Sequence, residues 1–302
     1  MIKSIKVINY LDNSIDINLY APEETGLIVK EISGLGPAKA NINTTDIAFS
    51  DGAAYNSARL STRNIVLNFV FLPNMTIEDT RLLTYEYFPI KHKVTLVFET
   101  ENRLAEISGY VESNEPDIFS SSEGCQISIV CPDPYFYSYG DEKLTEFNGT
   151  NPLFEFPFSN ESATEKVIEM GTILRRTAMK VFYEGDAETG ITISIHAIGE
   201  VKNLLIYNTE TKGTFKINTD RLKEMTGSVI KDGDDITIVT YKGRKSVTLL
   251  RDGVSTNILN CIDTNTEWFQ LKHGDNYFAY EADVGESNLI FRMSNRLIYE
   301  GV

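Results

Sequence analysis

Arg63-Asn64-Ile65-Val66-Leu67-Asn68-Phe69-Val70-Phe71-Leu72 alternates apolar and polar residues and then becomes apolar on both sides, the pattern of a strand that enters a core. A few residues later the period changes. Thr76-Ile77-Glu78-Asp79 reads as a capping box with Asp in place of Glu, and Ile77, Thr80, Leu83 and Tyr87, flanked by Leu82, recur at helical spacing until Pro89 ends the run. The stretch predicts one strand followed by one helix, and no other segment of the first half reads as a helix.

On either side of this unit the spacing is that of strands. Upstream, Ile2 to Val7, Ile15 to Leu19 and Leu27 to Ile32 alternate and are separated by turn residues. Between Gly34-Leu35-Gly36-Pro37 and Thr62 lies a polar excursion that carries Ile42, Ile47 and Phe49, with a soft, turn-like middle at Asp51-Gly52-Ala53-Ala54-Tyr55. An excursion of this length inside a compact domain is usually either functional or mobile. Downstream, Val94 to Phe98 and Ala105 to Val111 predict a hairpin turned by Glu101-Asn102-Arg103, and Gly124 to Cys131 another strand ended by Pro132-Asp133-Pro134. Tyr135, Phe136, Tyr137 and Tyr139 follow.

The turn clusters between Ser138 and Pro157 mark a boundary, giving a first domain at 1–138, a linker at 139–157 and a second domain at 158–302. The second domain is all β, with strands expected at Ala178–Tyr183, Ile191–Ile198, Leu204–Tyr207, Thr214–Asn218, Ile236–Thr240, Val247–Leu250, Trp268–Leu271, Tyr277–Glu281 and Leu289–Met293. Turns recur between them every 8–12 residues or so, as in a sandwich or barrel. Arg221 to Met225 fits a single helical turn.

Across its 302 residues the chain carries 28 Lys and Arg against 43 Asp and Glu, a net charge of −15. The surplus is even: 10 basic against 18 acidic side chains in residues 1–140, net −8, and 18 against 25 in residues 141–302, net −7. Such a surface repels a phosphate backbone, so nucleic-acid binding by a basic face is excluded. The start of the chain alternates and lacks the apolar run of a signal peptide, and no stretch reaches the roughly 18 apolar residues of a membrane helix. These features predict a chain that remains in the cytoplasm where it is made. Cys125, Cys131 and Cys261 are too few and too uneven for a disulfide framework and read as small buried hydrophobes.

No catalytic pattern emerges. His92, His196 and His273 lie in separate segments without metal-ligand spacing, and His196 sits on the polar face of its strand. Gly34-Leu35-Gly36-Pro37 lacks the Lys-Ser/Thr of a phosphate loop, and Asp232, Asp234 and Asp235 are out of register for a calcium loop because Gly233 falls between the first two. No cofactor is predicted. Trp268 and the tyrosines near 135–139 are the residues that could stack on a sugar, although packing in the core and at the domain junction explains them more simply.

A family resemblance rests on several pieces in order. Gly26-Leu27-Ile28-Val29, Ile32 to Pro37, Asp51-Gly52, Arg59, Arg63-Asn64-Ile65, Gly109-Tyr110-Val111-Glu112, Ile118-Phe119-Ser120 and Cys131 to Phe136 resemble, in sequence and spacing, the distal tail proteins of tailed bacteriophages. Gly190 to Ile193, Asn208 to Thr211, Lys231 to Asp234, Leu271 to Asn276 and Tyr299-Glu300-Gly301-Val302 extend the resemblance over the whole chain. It implies a mainly β protein: an N-terminal β-sheet or split-barrel domain with one helix, like a tail-tube protein, and a C-terminal galectin-like β-sandwich. It further implies a non-enzymatic homo-hexameric ring in the virion tail, meeting the tail tube protein, the tape-measure end, the tail-tip hub and the receptor-binding protein, with DNA passing through its lumen. On that basis Asp51, Gly52, Arg59 and Arg63 are expected at the ring interface, with both arginines pairing acids of a neighbour. The alternative is a carbohydrate-binding adhesion module in which Trp268 contacts glycan. A cell-wall hydrolase is the weakest reading.

Overall fold

The computed structural model describes residues 1–49, 51–72, 76–120, 122–140, 142–146, 149–152, 171–174 and 178–302. The protein is mainly β. It divides into two compact units, Met1–Asp141 with Ile298–Val302, and Glu142–Leu297.

In the first unit the strands are β1 (Ser4–Ile8), β2 (Ser14–Asn18), β3 (Leu27–Ser33), β4 (Ala40–Asp46), β5 (Ala53–Leu60), β6 (Arg63–Phe71), β7 (Lys93–Glu99), β8 (Leu104–Asp117), β9 (Gly124–Cys131) and β10 (Phe136–Ser138), with helix α1 (Ile77–Tyr87) after β6. The main sheet runs β2-β1-β7-β8-β9-β6-β3 and is antiparallel throughout. The period-two pattern of β6 shows directly in its burial: Arg63, Ile65, Leu67, Phe69 and Phe71 face inward. They meet Ile127, Ile129 and both cysteines of β9, all buried. Desolvation pushes the Cys125 thiol up to about 12 and the Cys131 thiol to about 11, which keeps both neutral.

β8 is long because it serves three partners, with β10 meeting it at Ala105 and Glu106. Leu104 to Tyr110 pair with β7, and Tyr110 to Asp117 pair with β9. Gly109 stands where the chain passes from one to the other. A Cβ there would lie 2.6 Å from Ile129 and 2.7 Å from the Cys131 sulfur, so only glycine fits the crossing.

Helix α1 begins as its sequence predicts, with the Thr76 hydroxyl accepting from the Asp79 amide and bonding the Asp79 carboxylate. A cap of this kind contributes about 1 kcal/mol. The buried face differs from the one expected. Thr80 and Thr84 are fully buried with Phe88 behind them, while Leu82 and Tyr85 are exposed. Asn114 of β8 donates to the Thr84 carbonyl, so the helix is seated on β8 partly by polar contacts that a search for apolar spacing passes over.

The second unit contains β11 (Lys143–Glu146), β12 (Gly149–Pro152), β13 (Gly171–Leu174), β14 (Ala178–Tyr183), β15 (Thr192–Ala197), β16 (Leu205–Asn208), β17 (Thr214–Lys216), β18 (Asp235–Val239), β19 (Ser246–Arg251), β20 (Val254–Asn257), β21 (Gly274–Glu281) and β22 (Leu289–Asn295). Helix α2 (Thr219–Thr226) replaces the single helical turn expected at 221–225, capped by Asn218 in front and by left-handed Gly227 behind. A six-stranded sheet, β11-β22-β15-β18-β19-β20, faces a four-stranded one, β14-β21-β16-β17. Their inner faces share one core, in which Tyr280 of β21 stacks on Phe291 of β22 at 4.1 Å. This is a β-sandwich.

Three sequence expectations need correction. Trp268–Leu271 is no ladder strand: Leu271 bridges only Thr189, and Phe269 and Leu271 are buried because they cap the core. Lys143–Glu146, placed in the linker, is an edge strand of the six-stranded sheet, while residues 153–157 of that linker lie outside the described residues. Ile298–Tyr299 (β23), assigned to the second domain, pairs with β10 of the first unit.

Candidate functional site

The polar excursion between Gly34 and Thr62 is a β-hairpin. β4 and β5 pair with each other and with no other described strand, and Ala53 to Tyr55, read as turn, are already part of β5. Nearly every side chain is exposed.

Register gives this hairpin two unlike faces. Ala40–Leu60, Ile42–Ala58, Thr44–Tyr55 and Asp46–Ala53 are cross-strand partners and share one face. Asn41–Arg59 and Asn43–Ser57 share the other, tied by a hydrogen bond from Asn43 to Ser57 at 3.0 Å. A shift in register after Asn43 absorbs Asn56, which bonds Thr45, and keeps Tyr55 on the side of Ile42. The first face is apolar yet uncovered, with Ile42 63% and Tyr55 66% exposed. Beyond it, Ile47 and Phe49 stand out at the tip, close to Asp51 and to Gly52 at φ +92°. An isolated two-stranded ribbon with a bare apolar face is marginal in water, so it needs a firm base and a surface to cover it.

Arg63 supplies the base. Its side chain is 4% exposed, and its Nε donates to the Pro134 carbonyl at 2.7 Å. Nη1 donates to the Gly34 and Gly36 carbonyls, Nη2 to that of Glu300 at 2.7 Å, and the guanidinium lies 4.6 Å from the Phe136 ring centre. The planar fork of arginine is suited to gathering several carbonyls, which lysine cannot do. Burial lowers its pKa, although it stays charged. The ends brought together are the exit of β3, the entry to β10 and the 298–302 segment. Gly34 makes the first bend possible: φ is +86°, and a Cβ would lie 2.1 Å from the Asn64 carbonyl oxygen. Nearby, Arg103 donates to the Gly301 carbonyl at 3.2 Å and lies over Tyr299 at 4.4 Å.

Of the residues expected at an interface, Arg59, Asp51 and Gly52 are exposed on the hairpin and its tip. Arg63 is not among them. Its guanidinium is buried and committed to carbonyls of its own chain, so it is not free for the pairing with a neighbour's acids envisaged for it. No sequence signal identifies the Arg63 partners, since backbone oxygens are the same at every position.

Trp268 lies in the other unit. It is half-buried, edge-on to Phe215 at 5.5 Å, with the Lys245 ammonium 5.2 Å from its ring centre, and so packs against the sandwich core instead of presenting a bare face. Asp234 is fully buried and bidentate to Arg251, which removes it from any calcium reading. His92 stacks on Tyr10, and His273 meets the Gly185 carbonyl. Among the described residues no cluster of His, Cys, Asp or Glu could hold a metal.

No protein-family model matches the sequence, and no curated protein does at a significant level. Solved structures do match. The crystal structure of the Dit protein of phage SPP1, described as a paradigm of the hub adsorption apparatus in phages infecting Gram-positive bacteria, aligns over 98% of this chain and 100% of its own at TM-score 0.64 and 13% identity. The chain has the Dit fold. A chain of the phage P2 baseplate, in its activated conformation with calcium, aligns over the full length of both at TM-score 0.50 and 11% identity. At such identities the Dit fold is what is shared, and the side chains that clamp the hairpin are read from this chain itself.

Proposed function

We propose that this protein is a structural component of a phage tail: a homo-hexameric ring at the distal end of the tail tube, joining the tube and the tape-measure end to the tail-tip hub and the receptor-binding apparatus. It works by holding partners in place and catalyses no reaction. The observation that carries the ring is the β4–β5 hairpin, an amphipathic arm whose apolar face is left exposed among the described residues, fixed at its base by Arg63. A closed ring of identical subunits gives each such arm a neighbour to lie on and leaves no arm unpaired. In this reading the apolar face of Ile42 and Tyr55 covers a neighbour's surface, and Arg59 pairs an acid there. Asp51 and Gly52 place the tip.

The whole-length likeness to the SPP1 Dit supports the same role and a place in the virion tail after synthesis in the host cytoplasm. We read the sandwich of the second unit as galectin-like. The even surplus of acid suits a channel that conducts DNA without holding it, because like charge keeps the polyanion off the wall.

Negative-stain imaging with light scattering of the purified chain tests the ring. A six-fold particle with a central hole and six times the chain mass is expected. A monomer at every concentration, with the hairpin intact, overturns it.

A further inference from the structure

The outer face of the six-stranded sheet carries an arrangement that the ring reading does not use. Inward, β15, β18 and β22 send Ile193, Ile195, Ile236, Ile238, Phe291 and Met293 into the core. Period two therefore turns Ser194, His196, Asp235, Thr237, Ile290 and Arg292 outward, where they line a groove of about 350 Å³. Register sets them in two adjoining rows across the strands, Arg292–Ser194–Thr237 and Ile290–His196–Asp235.

The longer polar groups pair with side chains beside them. His196 Nδ1 lies 2.7 Å from the Asp235 carboxylate, a contact in which Nδ1 carries a proton and donates. Arg292 Nε pairs with Glu146 of β11 at 3.1 Å, leaving its terminal nitrogens as donors. No described residue takes a hydrogen bond from or gives one to the Ser194 and Thr237 hydroxyls. Side chains fixed on strands lose little freedom when a ligand arrives.

From this groove we infer a binding site for a neutral saccharide. One cation and one anion stand on adjoining rows, so a phosphate would confront Asp235 and a polyamine would confront Arg292. A sugar hydroxyl both donates and accepts, and a row of them satisfies Arg292, Ser194, Thr237, His196 and Asp235 together. Ile290 beside His196 offers the apolar strip that a sugar's C–H face needs. Among the described residues no aromatic platform lines the groove, so a single site binds weakly. The volume suits one or two sugar rings. Histidine on the polar face of its strand was legible in the sequence, whereas its alignment with Asp235 and Arg292 depends on register across three distant strands. The site is independent of the ring, so failure of either leaves the other standing.

The test is saturation-transfer NMR on the full chain with methyl β-galactoside, methyl α-glucoside and N-acetylglucosamine, each at about 10 mM, the range in which weak sites with few contacts are populated. Glycerol 3-phosphate and spermidine serve as charged arms. Transfer to at least one neutral sugar is expected, falling tenfold or more in both His196→Ala and Asp235→Ala and unchanged in Trp268→Phe. Circular dichroism of the variants establishes that they fold. Absence of transfer to all three sugars, transfer that survives in the folded variants, competition by either charged arm, or loss in Trp268→Phe alone would each overturn the assignment.

Discussion

Arg63 in the first unit, which is buried, and Arg251 in the second, whose side chain is 13% exposed, are both arginines that hold loops, and they do so in opposite ways. Arg251 meets a carboxylate: Nε and Nη2 grip Asp234 at 2.8 and 2.5 Å, while Thr226, Ser228 and the Val229 carbonyl take its remaining donors. The hydrogen bonds it donates to the Asp234 carboxylate raise the arginine's pKa. Arg63 donates its hydrogen bonds to carbonyls only, and desolvation lowers its pKa. The first is a charge pair that closes a local turn between residues 226 and 251. The second is a cation solvated by backbone dipoles, and its acceptors come from residues 34, 36, 134 and 300. A charge pair secures one unit's fold, whereas a carbonyl clamp gathers distant segments around the root of a projecting arm.

The sharpest way to break this comparison is to remove each cation. Arg251→Met strands the Asp234 charge in a site with no exposure, and the second unit should lose about 3–5 kcal/mol in urea denaturation. The double variant Arg251→Met with Asp234→Leu should recover most of that loss, because the cost lies in the unpaired charge. If the double variant is as unstable as the single one, the pair is not what holds the turn. Arg63→Met leaves four carbonyls unsatisfied but no charge, and about 2–3 kcal/mol is expected from the first unit. Hydrogen exchange should rise at Gly34–Gly36 and Ile298–Val302 before it rises elsewhere. Arg63→Lys should restore less than half, since a compact ammonium cannot serve acceptors on every side.

Alkali separates the two units more gently. Cys125 and Cys131 keep their protons in the folded state to about 12 and 11, while the unfolded thiols release theirs near 9.0. Between these limits the folded state binds more protons, so its stability is intact below pH 9 and falls as pH rises, by about 1.4 kcal/mol per pH unit for each thiol. Cys125→Ala with Cys131→Ala should flatten the alkaline limb of the first unit's transition. An unchanged limb would show that other groups set it.

The difference between the arginines also explains what the sequence could and could not reveal. Elements that bury one face announce themselves: β6 through Ile65, Leu67 and Phe69, the cap of α1 through Thr76 and Asp79, and most sandwich strands through alternation. β4 and β5 bury nothing within the unit, so alternation carries no signal and they read as a polar excursion. Arg63 looked like a surface cation because its partners are carbonyls, which have no residue type. The return of Ile298–Tyr299 to β10 depends on tertiary closure by the same arginine and on Arg103. In the hairpin Arg59, Asp51 and Gly52 were named as interface candidates through the family resemblance, but which face is apolar depends on the register shift at Asn43, and no count along the chain supplies it.

The smallest effect on folding is expected where the effect on assembly should be clear, at the arm itself. Ile42→Ser and Tyr55→Ser remove apolar surface that is already in water, so the fold should change by less than about 0.5 kcal/mol. If that surface is buried against a neighbour, the same changes remove apolar burial at every interface of the ring at once. Light scattering should then show the oligomer lost while the melting transitions stay in place. Arg63→Met provides the contrast, because it should weaken the fold and the assembly together by loosening the arm's root. Should the two serine variants assemble as the parent does, the bare face of the hairpin is not a subunit contact. The role of Arg63 would then be confined to closing its own unit.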